Sequence, residues 1–253
     1  MGVKNMNRSN LNKKLIMKRI YLLIISLLAV SFGLGAQTIV TSDATVGQRA
    51  PRLRVAVQGG GMYRFGKLPS DASPDTRAYL KNLKLGYTYG ADVTYFFSEA
   101  LGVGVRYNNI HTSSSATGTI TFDTGETAGG KIQDIIDICF AGPFVTYRWL
   151  NASGKNAFLL SYGIGYCGFK DAAIAVDPYT VKGWTLGQYA EIGYDFGLSD
   201  RLSIGPALTL FRGSLSSYRR TDENGISEDV KLEYGSFESL SSLNLTVGLR
   251  YLL

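Results

Sequence analysis

Leu243-Asn244-Leu245-Thr246-Val247-Gly248-Leu249-Arg250-Tyr251-Leu252-Leu253 repeats with a period of two. Leu243, Leu245, Val247, Leu249, Tyr251 and Leu253 fall on one side, and Asn244, Thr246, Gly248 and Arg250 on the other, with Leu252 the exception. Successive side chains of a strand point to opposite faces, so this stretch is a ribbon with one bulky apolar face and one small hydrophilic face. The rhythm recurs in 84–97, where Leu85, Tyr87, Tyr89, Ala91, Val93, Tyr95 and Phe97 oppose Lys84, Gly86, Thr88, Gly90, Asp92 and Thr94. It recurs again in 184–197, where Trp184, Leu186, Ile192, Tyr194 and Phe196 oppose Thr185, Gly187, Glu191, Gly193, Asp195 and Gly197.

Working outward, eight such segments are expected at 52–66, 84–98, 101–112, 132–149, 157–170, 184–198, 202–213 and 237–253. Their connections alternate in length. Residues 99–100, 150–156 and 199–201 are short, whereas 67–83, 113–131, 171–183 and 214–236 are long and rich in Gly, Ser, Asp and Thr. An even number of antiparallel strands with tight turns at one end and long loops at the other is the pattern of a transmembrane barrel. The two faces decide between that and a soluble barrel. A soluble barrel turns its apolar face inward and would carry Lys and Glu outside. Here the non-apolar face is crowded with Gly, Ser, Thr and Ala, which suits the narrow interior of an eight-stranded barrel. The bulky face carries Tyr, Trp and Phe toward strand ends, as an aromatic girdle does. The expectation is an all-β, eight-stranded, antiparallel up-and-down transmembrane β-barrel.

Charge and leader point to the same compartment. Residues 1–36 hold Lys4, Arg8, Lys13, Lys14, Lys18 and Arg19 and no acid, so removing those six of the 26 bases leaves 20 against 20 acids. The basic balance therefore belongs to the leader, and nucleic acid is not an expected partner. Met17-Lys18-Arg19 precedes the apolar run Ile20–Phe32, and Gly33-Leu34-Gly35-Ala36 precedes Gln37. That order reads as a secretory signal peptide over 1–36, cut before Gln37 or one residue earlier. The apolar run is shorter than the ~20 residues a spanning helix needs. A periplasmic segment over 37–51 and a barrel over 52–253 complete the expected organisation. One histidine and two cysteines leave no basis for a zinc or iron–sulfur centre, and no cofactor is expected.

The leader, the eight alternating segments, Gly142-Pro143-Phe144-Val145-Thr146-Tyr147-Arg148-Trp149 and the ending Val247-Gly248-Leu249-Arg250-Tyr251 together resemble the small outer-membrane β-barrel domain family of Gram-negative bacteria, which includes OmpX-like and PorT-like proteins. The resemblance covers about residues 50–253 and is architectural. It implies residence in the cell outer membrane, contact with its lipids and lipopolysaccharide, insertion by the barrel-assembly machinery and an extracellular partner of unknown identity. Many such chains end on an aromatic residue; this one ends Tyr251-Leu252-Leu253, with Leu249 and Tyr251 keeping the alternation.

Candidate chemistry is sparse. Asp92, Arg106, Glu191, Asp195 and Arg250 lie on the inward parity, with Arg54 and Arg64 as further members, and are expected to pair as a polar network filling the lumen. His111 and Ser113 share one strand face, and Glu126 follows in the next connection. A His–Ser–Glu set facing the outer leaflet is similar to the site of lipid A deacylases, with serine as nucleophile, His111 as general base and Glu126 orienting it. The bland alternative is a solvated loop base. Cys139 and Cys167 are equally far from Ser153, the midpoint of a hairpin turning at Asn151–Lys155, so they could face each other in a disulfide, against the plainer reading of two buried thiols. A bulge near Pro143 would instead leave two thiols on opposite faces. Gly59-Gly60-Gly61 lies within a strand with no helix after it, which favours close packing over phosphate binding. Three function classes follow: a structural or surface-interaction barrel acting through its exterior loops, a deacylase-like esterase, and a narrow solute channel.

Overall fold

The computed structural model describes residues 53–66, 73–121, 127–175 and 177–253; the expected leader, the 37–51 segment and Glu126 lie outside them. In chain order the elements are β1 (Leu53–Arg64), helix α1 (Pro74–Asn82), β2 (Leu85–Phe96), β3 (Leu101–Thr121), β4 (Thr127–Leu150), β5 (Ala157–Ala175), β6 (Asp177–Gly197) and β7 (Leu202–Arg212). Four short strands follow, β8 (Ser214–Leu215), β9 (Ser217–Thr221), β10 (Ser227–Lys231) and β11 (Glu238–Ser239), and then β12 (Ser242–Leu252). Strands β1 to β7 and β12 pair with their neighbours in antiparallel order, β6 pairs with β7, and β12 pairs with β1. The ring is closed, so its backbone groups are satisfied without water, as a bilayer demands.

Burial runs opposite to that of a water-soluble sheet. Along β12, Ser242, Asn244, Thr246, Gly248 and Arg250 are buried, while Leu243, Leu245, Val247, Leu249 and Tyr251 are exposed. The same inversion gives a continuous outer belt: Val57, Val93, Val105, Val145, Leu160, Ile192, Leu208 and Leu245 all face out, Leu245 at 63% exposure. So much contiguous apolar surface is stable only against acyl chains. Tyr95, Phe97, Trp149, Phe196 and Tyr251 ring the end that carries the tight turns; Tyr63, Tyr87, Tyr89, Tyr166 and Trp184 ring the other.

The turns at the first end are short for local reasons. Ser98 Oγ accepts from the Leu101 N–H at 2.9 Å and Ser199 Oγ from the Leu202 N–H at 3.1 Å. In the 151–156 turn, Gly154 takes φ 69°, a left-handed conformation that favours glycine.

The opposite end departs from expectation. Segments 113–131 and 171–183, read as loops, are largely strand: β3, β4, β5 and β6 run 21, 24, 19 and 21 residues, against 11 or 12 for β1, β2, β7 and β12. The extra residues lift a wall roughly 30 Å along the strands at about 3.3 Å per residue. β9 pairs onto the β6 extension through Thr180↔Thr221, Val181↔Arg220 and Lys182↔Arg219, and β10 pairs onto β9. The segment 67–83 holds α1, started by Ser73, whose Oγ accepts from the Thr76 N–H at 3.2 Å, with Pro74 in the first turn.

The lumen is also not uniformly polar. Its turn-side half holds the charges. Above them Phe140, Phe144, Tyr189 and Phe211 form an aromatic layer, with Phe140 edge-on to Tyr189 and Phe211 at ring centroid distances of 5.4 and 5.5 Å. Above that, Met62, Ile110, Ile136, Ile138 and Phe169 meet Leu83, Leu215 and Leu240, which enter from the exterior connections as an apolar plug.

Candidate functional site

The five lumen charges come together, and Arg54 joins them. Arg106 on β3 grips Glu191 of β6 with both guanidinium nitrogens, Nη1 to Oε2 at 2.6 Å and Nη2 to Oε1 at 2.8 Å. Its Nη2 also reaches Asp92 of β2 at 3.0 Å. The other Asp92 oxygen receives Arg54 Nη2 at 3.3 Å and the Thr94 hydroxyl at 3.2 Å. Thr209 donates to Glu191 at 2.7 Å. Arg250 pairs with Asp195 at 2.8 Å, and Arg54 Nη1 stands 3.8 Å from the second Asp195 oxygen. Three arginines thus meet three carboxylates, all nearly fully buried. Removing six charges from water costs several kcal/mol each, and here each carboxylate faces at least one guanidinium, Glu191 in a two-pronged contact with Arg106, which offsets part of that cost.

Aromatic faces carry the remaining positive charge. The Arg106 guanidinium lies 4.7 Å from the Tyr189 ring centroid, and Arg148 lies 3.9 Å from that of Phe96 while its Nε donates to the Glu99 carbonyl. Arg148 was absent from the expected network, although its even position on β4 matches the inward parity. Between Arg106, Asn108, Tyr189 and Asn244 the free space is about 10 Å³, room for a single water at most. Among the described residues the apolar plug packs above this layer, and each lumen carboxylate is paired with an arginine.

Arg64 stands apart from this network, at the exterior rim, where Nη2 pairs with Glu238 at 2.6 Å. It lines a cavity of about 370 Å³ with Leu80, Leu83, Lys84 and Phe237, between α1 and the segment before β11. Nearby, the Tyr79 hydroxyl of α1 donates to Asp134 of the wall at 2.7 Å, tying the helix to β4. Burial and that bond push the Tyr79 phenol far above its ordinary range.

His111 faces outward at the upper edge of the belt. Its Nδ1 is 2.8 Å from Asp137, directly opposite on β4, and its ring lies 4.9 Å from that of Tyr87. Among the described residues no hydrogen bond joins Ser113 to His111, so the nucleophile-to-base contact of an esterase is not made. Asp137 was missed by the sequence reading, although folding the chain about the 122–126 connection brings it opposite His111.

The disulfide expectation is corrected. Cys139 and Cys167 are both free; the register sets Cys139 beside Gly168 and Cys167 beside Phe140. The hairpin turns about a point half a residue beyond Ser153, which changes the parity. Cys139 therefore faces the belt, and Cys167 is fully buried in the plug. No bulge at Pro143 is needed for this. Of the three glycines at 59–61, only Gly60 meets backbone closely: a side chain there would run into the Leu245 carbonyl, while Gly61 has open space. Among the described residues no group of three His, Cys, Asp or Glu side chains gathers as metal ligands.

A closed eight-stranded ring, an apolar belt between two aromatic girdles and a packed interior define a transmembrane β-barrel of the outer-membrane type, and the protein resides in the outer membrane. Solved structures similar to this chain include Neisserial surface protein A (10% identity, 79% of this chain and 97% of that one, TM-score 0.49). They also include the outer membrane protein OprG from Pseudomonas aeruginosa (13% identity, 80% and 98%, TM-score 0.47) and a major outer membrane protein from Thermus thermophilus (13%, 79% and 98%, TM-score 0.49). No protein-family model matches the chain, and no curated protein does.

Proposed function

We propose that this barrel is a rigid membrane mount for an exterior interaction surface, the wall formed by β3–β6 with β9 and β10. The observation that carries this reading is the packed lumen: ion pairs fill its lower half and the Leu83–Leu215–Leu240 plug its upper half. A filled interior disfavours the channel, and the unmade Ser113–His111 contact disfavours the esterase. The wall is the part of the molecule with free strand surface beyond the bilayer, where binding residues on a fixed scaffold serve recognition.

Two measurements test the proposal together. In planar bilayers the purified barrel is expected to give no discrete conductance steps; steps that persist with the plug intact would restore the channel. Cells displaying a barrel whose β3–β4 tip, residues 114–133, is replaced by a short turn are expected to lose most of their adherence to other cells or to matrix. Unchanged adherence against a strain lacking the whole barrel would remove the wall from the account.

A further inference from the structure

The exterior mouth of the barrel holds a cavity that neither the wall nor the lumen network uses. It measures about 370 Å³ and lies between α1 and the segment that leads into β11. That is at the lower end of the ~300–1,000 Å³ of small-molecule sites. Its lining has two chemistries. Leu80, Leu83 and Phe237 form an apolar side, and Arg64, Lys84 and Glu238 a charged one.

The charged side holds two bases against one acid. Arg64 ends β1, and its backbone N–H donates to the Lys84 carbonyl at 2.7 Å, so the two basic residues stand opposite each other on adjoining chain segments. Like charges so placed repel unless an anion lies near both. The chain supplies that anion incompletely. Glu238 takes Arg64 Nη2 at 2.6 Å but keeps 47% of its side chain in water. The Ser239 carbonyl accepts from the same nitrogen at 3.2 Å, and the buried Arg64 Nε has no hydrogen-bond partner among the described residues. Lys84 has no ion-pair partner among them; its ammonium lies 6.0 Å from the Tyr63 ring centroid, on a flexible stem that lets it turn toward the cavity. The further acid near Arg64 is Asp171, whose carboxyl, raised to about 7 first by burial, carries only part of a charge at neutral pH.

We propose that this cavity binds a small organic monoanion, an aromatic carboxylate, taken from the exterior medium. Its carboxylate would sit between Lys84 and Arg64, and its ring against Leu80, Leu83 and Phe237. An aromatic body suits the apolar side because Phe237, itself met edge-on by Tyr234 at a centroid distance of 6.0 Å, offers a ring for a further edge-on or offset contact. An inorganic anion would leave the apolar side unfilled, and an amine would meet charge of its own sign. The site is separate from the wall, so either assignment can fail alone.

The test is isothermal titration calorimetry on the full barrel in phosphatidylcholine nanodiscs, with empty discs as reference. The probes are indole-3-acetate and its neutral amide, indole-3-acetamide. The acid is expected to bind about ten-fold or more tightly than the amide, a preference that shrinks as salt rises from about 50 to about 500 mM. Lys84→Gln is expected to cut the preference to about three-fold or less, and Phe237→Ala to weaken acid and amide alike. Lys155→Gln, in a turn at the other end, keeps the wild-type values. Absence of binding above the empty discs, equal affinity for acid and amide, or an unchanged preference in Lys84→Gln overturns the proposal. Heat-modifiable gel migration checks folding. Where Lys84→Gln fails to fold, the wild-type ratio of acid to amide and its salt dependence decide the matter.

Discussion

Arg106 touches two carboxylates and two aromatic rings, and the consequences of losing it are lopsided. Arg106→Met would leave Glu191 and Asp92 buried without their main counter-charge, a loss expected to cost about 3–5 kcal/mol. Urea unfolding of the barrel in lipid vesicles checks the figure, and a second substitution, Glu191→Leu, is expected to return part of it. Gly60 gives a second test at this scale. Gly60→Ala forces a methyl against the Leu245 carbonyl and should block or slow barrel formation on a heat-modifiability gel, while Gly61→Ala should behave as wild type. These residues were legible in different degrees. Parity alone picked out the lumen charges, because a strand's period of two sorts them without any knowledge of partners. Parity could not assign Arg106 to Glu191, which stands across the lumen on a strand that is not a neighbour of β3. The cysteine arithmetic failed because a turn's centre is uncertain by half a residue, and that half residue decides the face.

At the scale of elements, the wall was the largest departure from the sequence reading. Ser113–Thr117 carries small or polar residues on both faces, and in Ala172–Thr180 the apolar Ile174 and Val176 give way to Asp177, Pro178 and Tyr179, so the apolar–polar alternation that betrays a strand fades beyond the belt. Pairing with already formed neighbours extends them regardless. The plug was hidden for a related reason: Leu83, Leu215 and Leu240 lie in or beside connections, and only the tertiary fold turns them inward. The junction of helix and wall carries a pH-dependent consequence. Asp171, on the exterior extension of β5, has its carboxyl raised to about 7, first by burial and next by the neighbouring Asp134, with Glu238 adding to it and Arg64 opposing. A carboxyl whose folded value exceeds its unfolded value near 4 favours the folded wall when protonated. That contribution is complete below about pH 4 and is lost as pH climbs through about 7. Amide hydrogen exchange at β5 and α1 is therefore expected to quicken between about pH 5 and 8, after correction for intrinsic rates, and Asp171→Asn should flatten the trend.

At the scale of the whole molecule, fold class, strand count and the sidedness of the turns were readable because a bilayer imposes them on composition: bulky apolar residues out, small ones in, short turns at one end. The exterior architecture answers to no such constraint and left only a weak signature. The same division separates what supports the barrel from what distinguishes it. The ion network and aromatic layer brace a narrow tube, and the uneven rim gives the molecule one tall side on which anything approaching from outside must land.

The seam between β1 and β12 has a consequence for biogenesis. Eleven residue pairs join the first strand to the last, Arg54↔Leu252 through Arg64↔Ser242. Contacts that span nearly a whole domain form late, since the intervening chain must be gathered first. Until Leu243–Leu252 arrive, two raw margins, one on β1 and one on β7, stay open to any stray strand. Seating β12 between them covers both margins at once, so the step that completes the ring is also the step that removes its exposed edges.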